Sequence, residues 1–146
     1  MNSQIEIILI EDNIDDATLV IRALKKNNLA NKLVHLKDGA EGLEFFFGKD
    51  DKGTVELENL APRVVLLDLK MPKLNGMEVL AKVKSDPRTK AIPVVVLTSS
   101  AEDPDIKKCY ELGANSYIVK PVEFDNFSKA VSDLGLYWMI LNHPVK

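Results

Sequence analysis

The sequence predicts an α/β fold in which five parallel strands alternate with five helices, (βα)5, in a doubly wound sheet. Two observations carry this expectation. Five short apolar runs rich in β-branched residues punctuate the chain, and the segments between them switch to a helical apolar period. The first, third and fourth runs are apolar almost without interruption, which requires burial on both faces, as in the middle of a parallel sheet.

The first strand is expected over 5–10, Ile5-Glu6-Ile7-Ile8-Leu9-Ile10, and a helix with Ala17, Val20, Ile21 and Leu24 on one stripe follows. The second strand, 32–36, alternates weakly (Leu33 and His35 against Val34 and Leu36), which suits an edge. A second helix carries Leu43, Phe46 and Phe47. From Gly48 to Pro62 the chain is rich in Asp, Lys, Glu and Gly and longer than ordinary connections; a solvated loop is the plainer expectation and a partner-binding loop the other. The third strand, 63–68, precedes a helix with Val79, Leu80 and Val83. The fourth, 93–98, precedes a helix over 104–112, with Asp103 as N-cap, Pro104 in the first helical position and Gly113 as the left-handed residue behind it. The fifth, 116–120, leads into a helix from Glu123 toward Leu141 with Phe124, Phe127, Val131, Leu134, Trp138 and Leu141 on one side. Alternation of this kind forces right-handed crossovers and helices on both sheet faces.

Composition bounds the class. The chain has 146 residues, 46% apolar and 28% charged, the balance of one ordinary domain, so a single domain over 1–146 is expected. A lone cysteine, Cys109, leaves no intramolecular disulfide and no Cys/His zinc spacing. The first residues lack the basic start and apolar core of a secretory signal, and no run approaches a membrane span, so a cytoplasmic, membrane-free location is expected. A net charge of -3 supplies no general drive toward nucleic acid.

In an open α/β sheet, ligands bind outside the carboxyl ends of the strands, where the winding reverses. Those ends carry Glu11-Asp12, Asp68, Thr98-Ser99 and Lys120-Pro121. Singly, each has a plainer explanation: Asp12 caps a helix, Asp68 is a loop acid, Thr98 is a common strand residue, Lys120 is solvated. Together on one rim they form a site. Carboxylates crowded within about 4–6 Å raise one another's pKa unless a cation neutralises them. A hard ion such as Mg²⁺, which takes carboxylate and phosphate oxygens and keeps several waters, fits best. With it, Asp68 can act as an oxygen nucleophile toward phosphorus, while Lys120 and the Thr98 hydroxyl stabilise charge on the phosphoryl oxygens.

These residues resemble the receiver domain of two-component response regulators. The resemblance covers nearly the whole chain: Glu11-Asp12-Asn13, the run Leu67-Asp68-Leu69-Lys70-Met71-Pro72-Lys73-Leu74-Asn75-Gly76, Leu97-Thr98-Ser99 and Tyr117-Ile118-Val119-Lys120-Pro121. It implies the flavodoxin-like receiver fold, with Asp68 as phosphoacceptor and Mg²⁺ held by Glu11, Asp12, Asp68 and the backbone carbonyl of Lys70. It further implies Thr98 and Tyr117 as the switch pair, Lys120 on the phosphoryl group, and a cis Lys120-Pro121 bond. Ser99, Ser100 and Lys70 occupy positions that tune phosphoryl lifetime in that family. The implied function is a phosphorylation-dependent signalling switch served by a sensor histidine kinase or a phosphotransfer protein. The Gly48 to Pro62 stretch and the aromatic C-terminal helix look like stand-alone receivers paired with phytochrome-type and hybrid kinases.

Because the chain ends soon after the fifth helix, no output domain is expected and the output is a protein contact. The face made by the fourth helix, fifth strand and fifth helix is the candidate, with Tyr137, Trp138, Met139 and Ile140 overhanging to form a homodimer; the alternative is that Trp138 folds back to complete the core. The runner-up function is a Mg²⁺-dependent phosphohydrolase or phosphotransferase with an aspartate nucleophile. Such enzymes usually carry a second acid two residues after the nucleophile, where this chain has Lys70. An FMN carrier needs a Ser/Thr/Gly phosphate cradle after strand one, and Glu11-Asp12-Asn13 has the wrong charge. A receiver that binds partners without ever being phosphorylated is the third reading, and the intact acid set opposes it.

Overall fold

A computed structural model describes residues 7–26, 33–48, 64–71, 74–99 and 104–133. In chain order the elements are β1 (Ile7–Ile10), α1 (Ile14–Lys25), β2 (Leu33–Leu36), α2 (Gly39–Phe47), β3 (Val64–Asp68), α3 (Gly76–Ser85), β4 (Val94–Thr98), α4 (Asp105–Glu111), β5 (Ser116–Val119) and α5 (Phe124–Asp133). The strands form one parallel sheet in the order β2-β1-β3-β4-β5. Winding reverses between β1 and β3, and that is where the carboxyl ends of the two strands open a crevice.

Period-two alternation divides the core into two layers. Ile7 and Leu9 of β1, Val64 and Leu66 of β3 and Val95 and Leu97 of β4 face Ala17, Val20 and Leu24 of α1 and Phe127 and Ala130 of α5. Ile8 and Ile10, Val65 and Leu67, and Val94 and Val96 face Phe46 and Phe47 of α2, Val79, Leu80 and Val83 of α3, and Cys109 of α4. Full burial of each aliphatic or Phe side chain is worth roughly 1.5–3 kcal/mol, so the central strands, which are buried at every position, anchor the sheet. The sequence places β2 at an edge, and its Leu33, Val34 and His35 are only half-buried there. The other edge is β5.

Element ends differ from expectation in small, explicable ways. The fourth helix starts at Asp105, with Pro104 in the cap position and no side-chain hydrogen bond to the helix; Asp103 lies outside the described residues. Gly113 does adopt the left-handed conformation behind it, at φ 112°, and the Ala114 N–H closes the turn on the Cys109 carbonyl at 2.9 Å. Lys120 follows β5 rather than ending it. The fifth helix is described to Asp133; the side chain of Val131, residues 134–141 of the apolar stripe and the Tyr137 to Ile140 overhang lie outside the described residues, as do 49–62 of the long stretch.

The loop behind β3 is folded tightly onto the strand that it leaves. Asn75 and Glu78 form a reciprocal capping box at the start of α3 (Asn75 Oδ1 accepts from the Glu78 N–H at 3.1 Å, Glu78 Oε1 from the Asn75 N–H at 3.0 Å), and the Gly76 N–H donates to the Leu69 carbonyl at 2.9 Å. A Cβ on Gly76 would collide with the Asp68 carbonyl oxygen and stand 2.7 Å from the Leu69 Cα. Gly76→Ala therefore lowers stability by about 1–3 kcal/mol through forced backbone movement. Urea unfolding measures it; an unchanged midpoint contradicts this close approach.

Candidate functional site

Four strand ends build one cavity of about 240 Å³, lined by Glu11, Asp12, Asn13, Asp16, Asp68, Lys70, Thr98, Ser99 and Lys120. Glu11 follows β1 and is held by its backbone. Its N–H donates to the Leu36 carbonyl at 3.1 Å, and its own carbonyl accepts from His35 Nε2 at 2.9 Å. Both contacts come from the edge strand, so β2 fixes the acid end of β1. Glu11 is fully buried and Asp68 is 4% exposed, while Asp12 faces solvent. One carboxylate oxygen from each of these three acids lies within 4.8 Å of the others. Asp12 does not cap α1; Asn13 does, accepting from the Asp16 N–H at 2.9 Å, which leaves the Asp12 carboxylate for the cavity.

Lys120 answers this charge. Its ammonium lies 3.0 Å from Glu11 Oε1, 3.1 Å from Asp68 Oδ1 and 2.9 Å from Asp16 Oδ2. The contact to Asp16 has hydrogen-bond geometry, whereas Glu11 Oε1 is buried with a neighbouring charge and no hydrogen-bond donor. The Lys120 N–H donates to the Thr98 carbonyl at 2.7 Å, which ties the end of β5 to the end of β4. The Lys120-Pro121 bond is cis, as the resemblance implies. Thr98 is 2% exposed and lines the same cavity.

Burial pushes the Glu11 carboxyl up to about 7; the Lys120 contact works against that shift and the Asp68 charge adds to it. For Lys120 burial disfavours the charge, but the hydrogen bond to Asp16 and the charges of Glu11 and Asp68 outweigh it and hold the ammonium above the usual lysine range. A divalent cation suits this donor set. Hard oxygens from three acids converge, and one of them, Glu11 Oε1, has no hydrogen-bond donor.

The structure thus brings together Glu11, Asp12, Asp68, Lys70, Thr98 and Lys120. Tyr117 stands apart. It pairs with Val96 across the β4–β5 ladder, is 36% exposed, and meets Tyr110 of α4 edge to face, ring centroids 6.3 Å apart. Asp16 is the cavity residue that the sequence reading missed. Its place in the first turn of α1, just behind the Glu11-Asp12 pair, was the available signal.

An acid-lined cavity at the carboxyl end of a five-stranded parallel sheet, beside the point where the winding reverses, marks the ligand-site position of a doubly wound α/β protein. Residues 7–132 match the response regulator receiver domain, and the chain belongs to that family. The structure of the bacteriophytochrome response regulator AtBRR is 45% identical, covers 96% of this chain and 99% of its own, and superposes with a TM-score of 0.78. Response regulator Rcp1 of Synechocystis sp. is 37% identical over 91% of this chain and 88% of its own. A Mn²⁺-bound form of Rcp1 superposes with a TM-score of 0.66 at 35% identity, covering 96% and 97% of the two chains. The phosphorylated cyanobacterial phytochrome response regulator RcpA, 35% identical with 97% of both chains covered, has a TM-score of 0.68.

The raised Glu11 sets the sign of a pH dependence. The metal-free fold binds the Glu11 proton more tightly than the unfolded chain does, so its contribution to stability is full below the ordinary carboxylate pKa of 4.5 and is lost as pH rises through about 7. A divalent cation held by the Glu11 carboxylate would bind more tightly with rising pH and would release close to one proton at about pH 6 and close to none above about pH 8. Calorimetry in buffers of different ionisation enthalpy reads the proton count; none released at the lower pH contradicts the assignment.

Proposed function

We propose that the chain is a phosphorylation-dependent signalling switch in which Asp68 accepts a phosphoryl group from a sensor histidine kinase or phosphotransfer protein. The single observation that carries this is the nearly buried Asp68 carboxylate, 3.1 Å from the Lys120 ammonium, in the same cavity as Glu11 and Asp12. The Mn²⁺-bound and phosphorylated relatives support it.

Mg²⁺, held by Glu11, Asp12, Asp68 and the backbone carbonyl of Lys70, would supply the positive charge that lets a phosphoryl group approach three carboxylates. An Asp68 oxygen attacks phosphorus in line as the bond to the donor imidazole or acetate oxygen breaks, and the leaving group departs with that electron pair. Lys120 moves its N–H donors onto a phosphoryl oxygen and Thr98 gives its hydroxyl hydrogen to another. As these groups turn to the phosphoryl oxygens, Thr98 and Tyr117 respond as the switch pair. Adding roughly two negative charges is a local event that needs such a bistable element to be read elsewhere.

The exposed Tyr110 and Tyr117 put an aromatic surface on the α4–β5 side, which supports a protein contact there, a second copy of the chain among the candidates. Likeness to AtBRR and RcpA supports a kinase of the phytochrome type. Among the described residues no helix is long and apolar enough to cross a membrane, and we place the switch in the cytoplasm with its kinase. The hydrolase reading is weaker because Lys70, two residues after Asp68, has no carboxyl proton to give a leaving group.

Acetyl phosphate with Mg²⁺ should yield one base-labile phosphoryl adduct by intact mass, absent without Mg²⁺ and absent in Asp68→Asn. An adduct that persists in Asp68→Asn overturns the assignment. Ultracentrifugation of the same samples tests the second copy; a monomer at high micromolar concentration in both states excludes it.

A further inference from the structure

We propose that Asp16 is a positioning residue: it holds Lys120 at the edge of the cavity and so lets a divalent cation enter among Glu11, Asp12 and Asp68. The inference rests on the metal-site reading above and adds a residue to it.

Without metal, the Lys120 ammonium lies 3.0 and 3.1 Å from one carboxylate oxygen each of Glu11 and Asp68, the two buried acids of the cluster that would hold the cation. Mg²⁺ demands oxygen at roughly 2.0–2.1 Å, so an ammonium left on the same two carboxylates would stand beside the ion under strong like-charge repulsion. Lys120 must withdraw. Its side chain is only 18% exposed, and withdrawal without a partner would strand a largely buried charge. Asp16 removes that difficulty. It already accepts a directed hydrogen bond from Lys120 at 2.9 Å, its side chain is 36% exposed, and it is not among the acids whose oxygens converge within 4.8 Å. It is thus a partner of the lysine and not of the metal.

The position is fixed by local structure. Asn13 accepts from the Asp16 N–H, which locks the first turn of α1, and the carboxylate projects toward the cavity from a rigid element. The competing explanation is an ordinary first-turn acid that favours the helix dipole. Asp15 is the internal control. It has the same charge in the same turn, faces solvent and does not line the cavity.

The test is Mg²⁺ titration by calorimetry on the full chain. Asp16→Asn is expected to weaken binding roughly tenfold, in line with loss of a charge-assisted hydrogen bond, and Asp15→Asn less than about twofold, as a screened surface charge should. In a Lys120→Gln background Asp16→Asn should have no further effect, because the residue acts through the lysine. Should Lys120→Gln fail to fold, the Lys120 Nζ resonance carries the same test: with Mg²⁺ bound, its protons stay protected from solvent exchange in the wild type and lose protection in Asp16→Asn. Equal effects of Asp16→Asn and Asp15→Asn, or a tenfold loss that survives in the Lys120→Gln background, overturn the proposal. A wild type that binds no Mg²⁺ overturns the metal-site reading itself, and this proposal with it.

Discussion

Three carboxylates are gathered at one end of a parallel sheet, two of them with almost no access to water, and the Lys120 ammonium pairs with those two. Most of what distinguishes this molecule from a generic α/β domain follows from that crowding. Burial and the neighbouring acid both oppose charge on Glu11, and Lys120, itself paired with Asp16, offsets the opposition only in part. A divalent cation there would offset that crowding and, through its charge, let in an anion that bare carboxylates would repel.

The fold makes the crowding possible without a special loop. β1, β3 and β4 run side by side in register, with Ile10 opposite Leu67 and Asp68 opposite Leu97, so residues just past those strands emerge at one level. Their buried apolar runs hold that level on both faces. The bond from the Lys120 N–H to the Thr98 carbonyl brings the last strand to the same rim. The lysine can then reach Glu11 and Asp68 from β5, across β4 and β3, while its backbone stays in the sheet's hydrogen-bond pattern. Tyr117 lies on the same short strand as the approach to Lys120, but its ring rests on Tyr110 outside the cavity, so the backbone of β5 joins the Lys120 side of the cavity to an exposed aromatic surface.

Much of this was legible in the residues. Continuous runs such as Val64 to Asp68 and Val94 to Thr98 can be buried on both faces only inside a parallel sheet, and helical stripes as regular as Val79, Leu80 and Val83 leave little choice of face. Strand ends then locate the cavity. What was hidden was side-chain reach. Asp16 looks like any acid in a first helical turn, and only the path of Lys120, 104 residues later in the chain, makes it part of the site. The start of α4 was off by one position because Pro104 satisfies either the cap or the first-turn position with the same fixed φ. The capping role of Asn13 over Asp12 was likewise settled by which side chain met the Asp16 N–H, a matter of backbone angle that composition does not carry.

The central claim is that Asp68 is the phosphoacceptor and that its modification redistributes Lys120, Thr98 and Tyr117. The most direct measurement is a crystal structure of the chain with Mg²⁺ and beryllofluoride, which stands in for an acyl-bound phosphoryl group. The account predicts the beryllium bonded to an Asp68 oxygen, Lys120 Nζ and Thr98 Oγ1 within hydrogen-bond distance of its fluorines, and Tyr117 withdrawn from Tyr110 and buried. Beryllofluoride bonded elsewhere, or bonded to Asp68 with Lys120 still on Glu11 and Tyr117 still exposed, would contradict it.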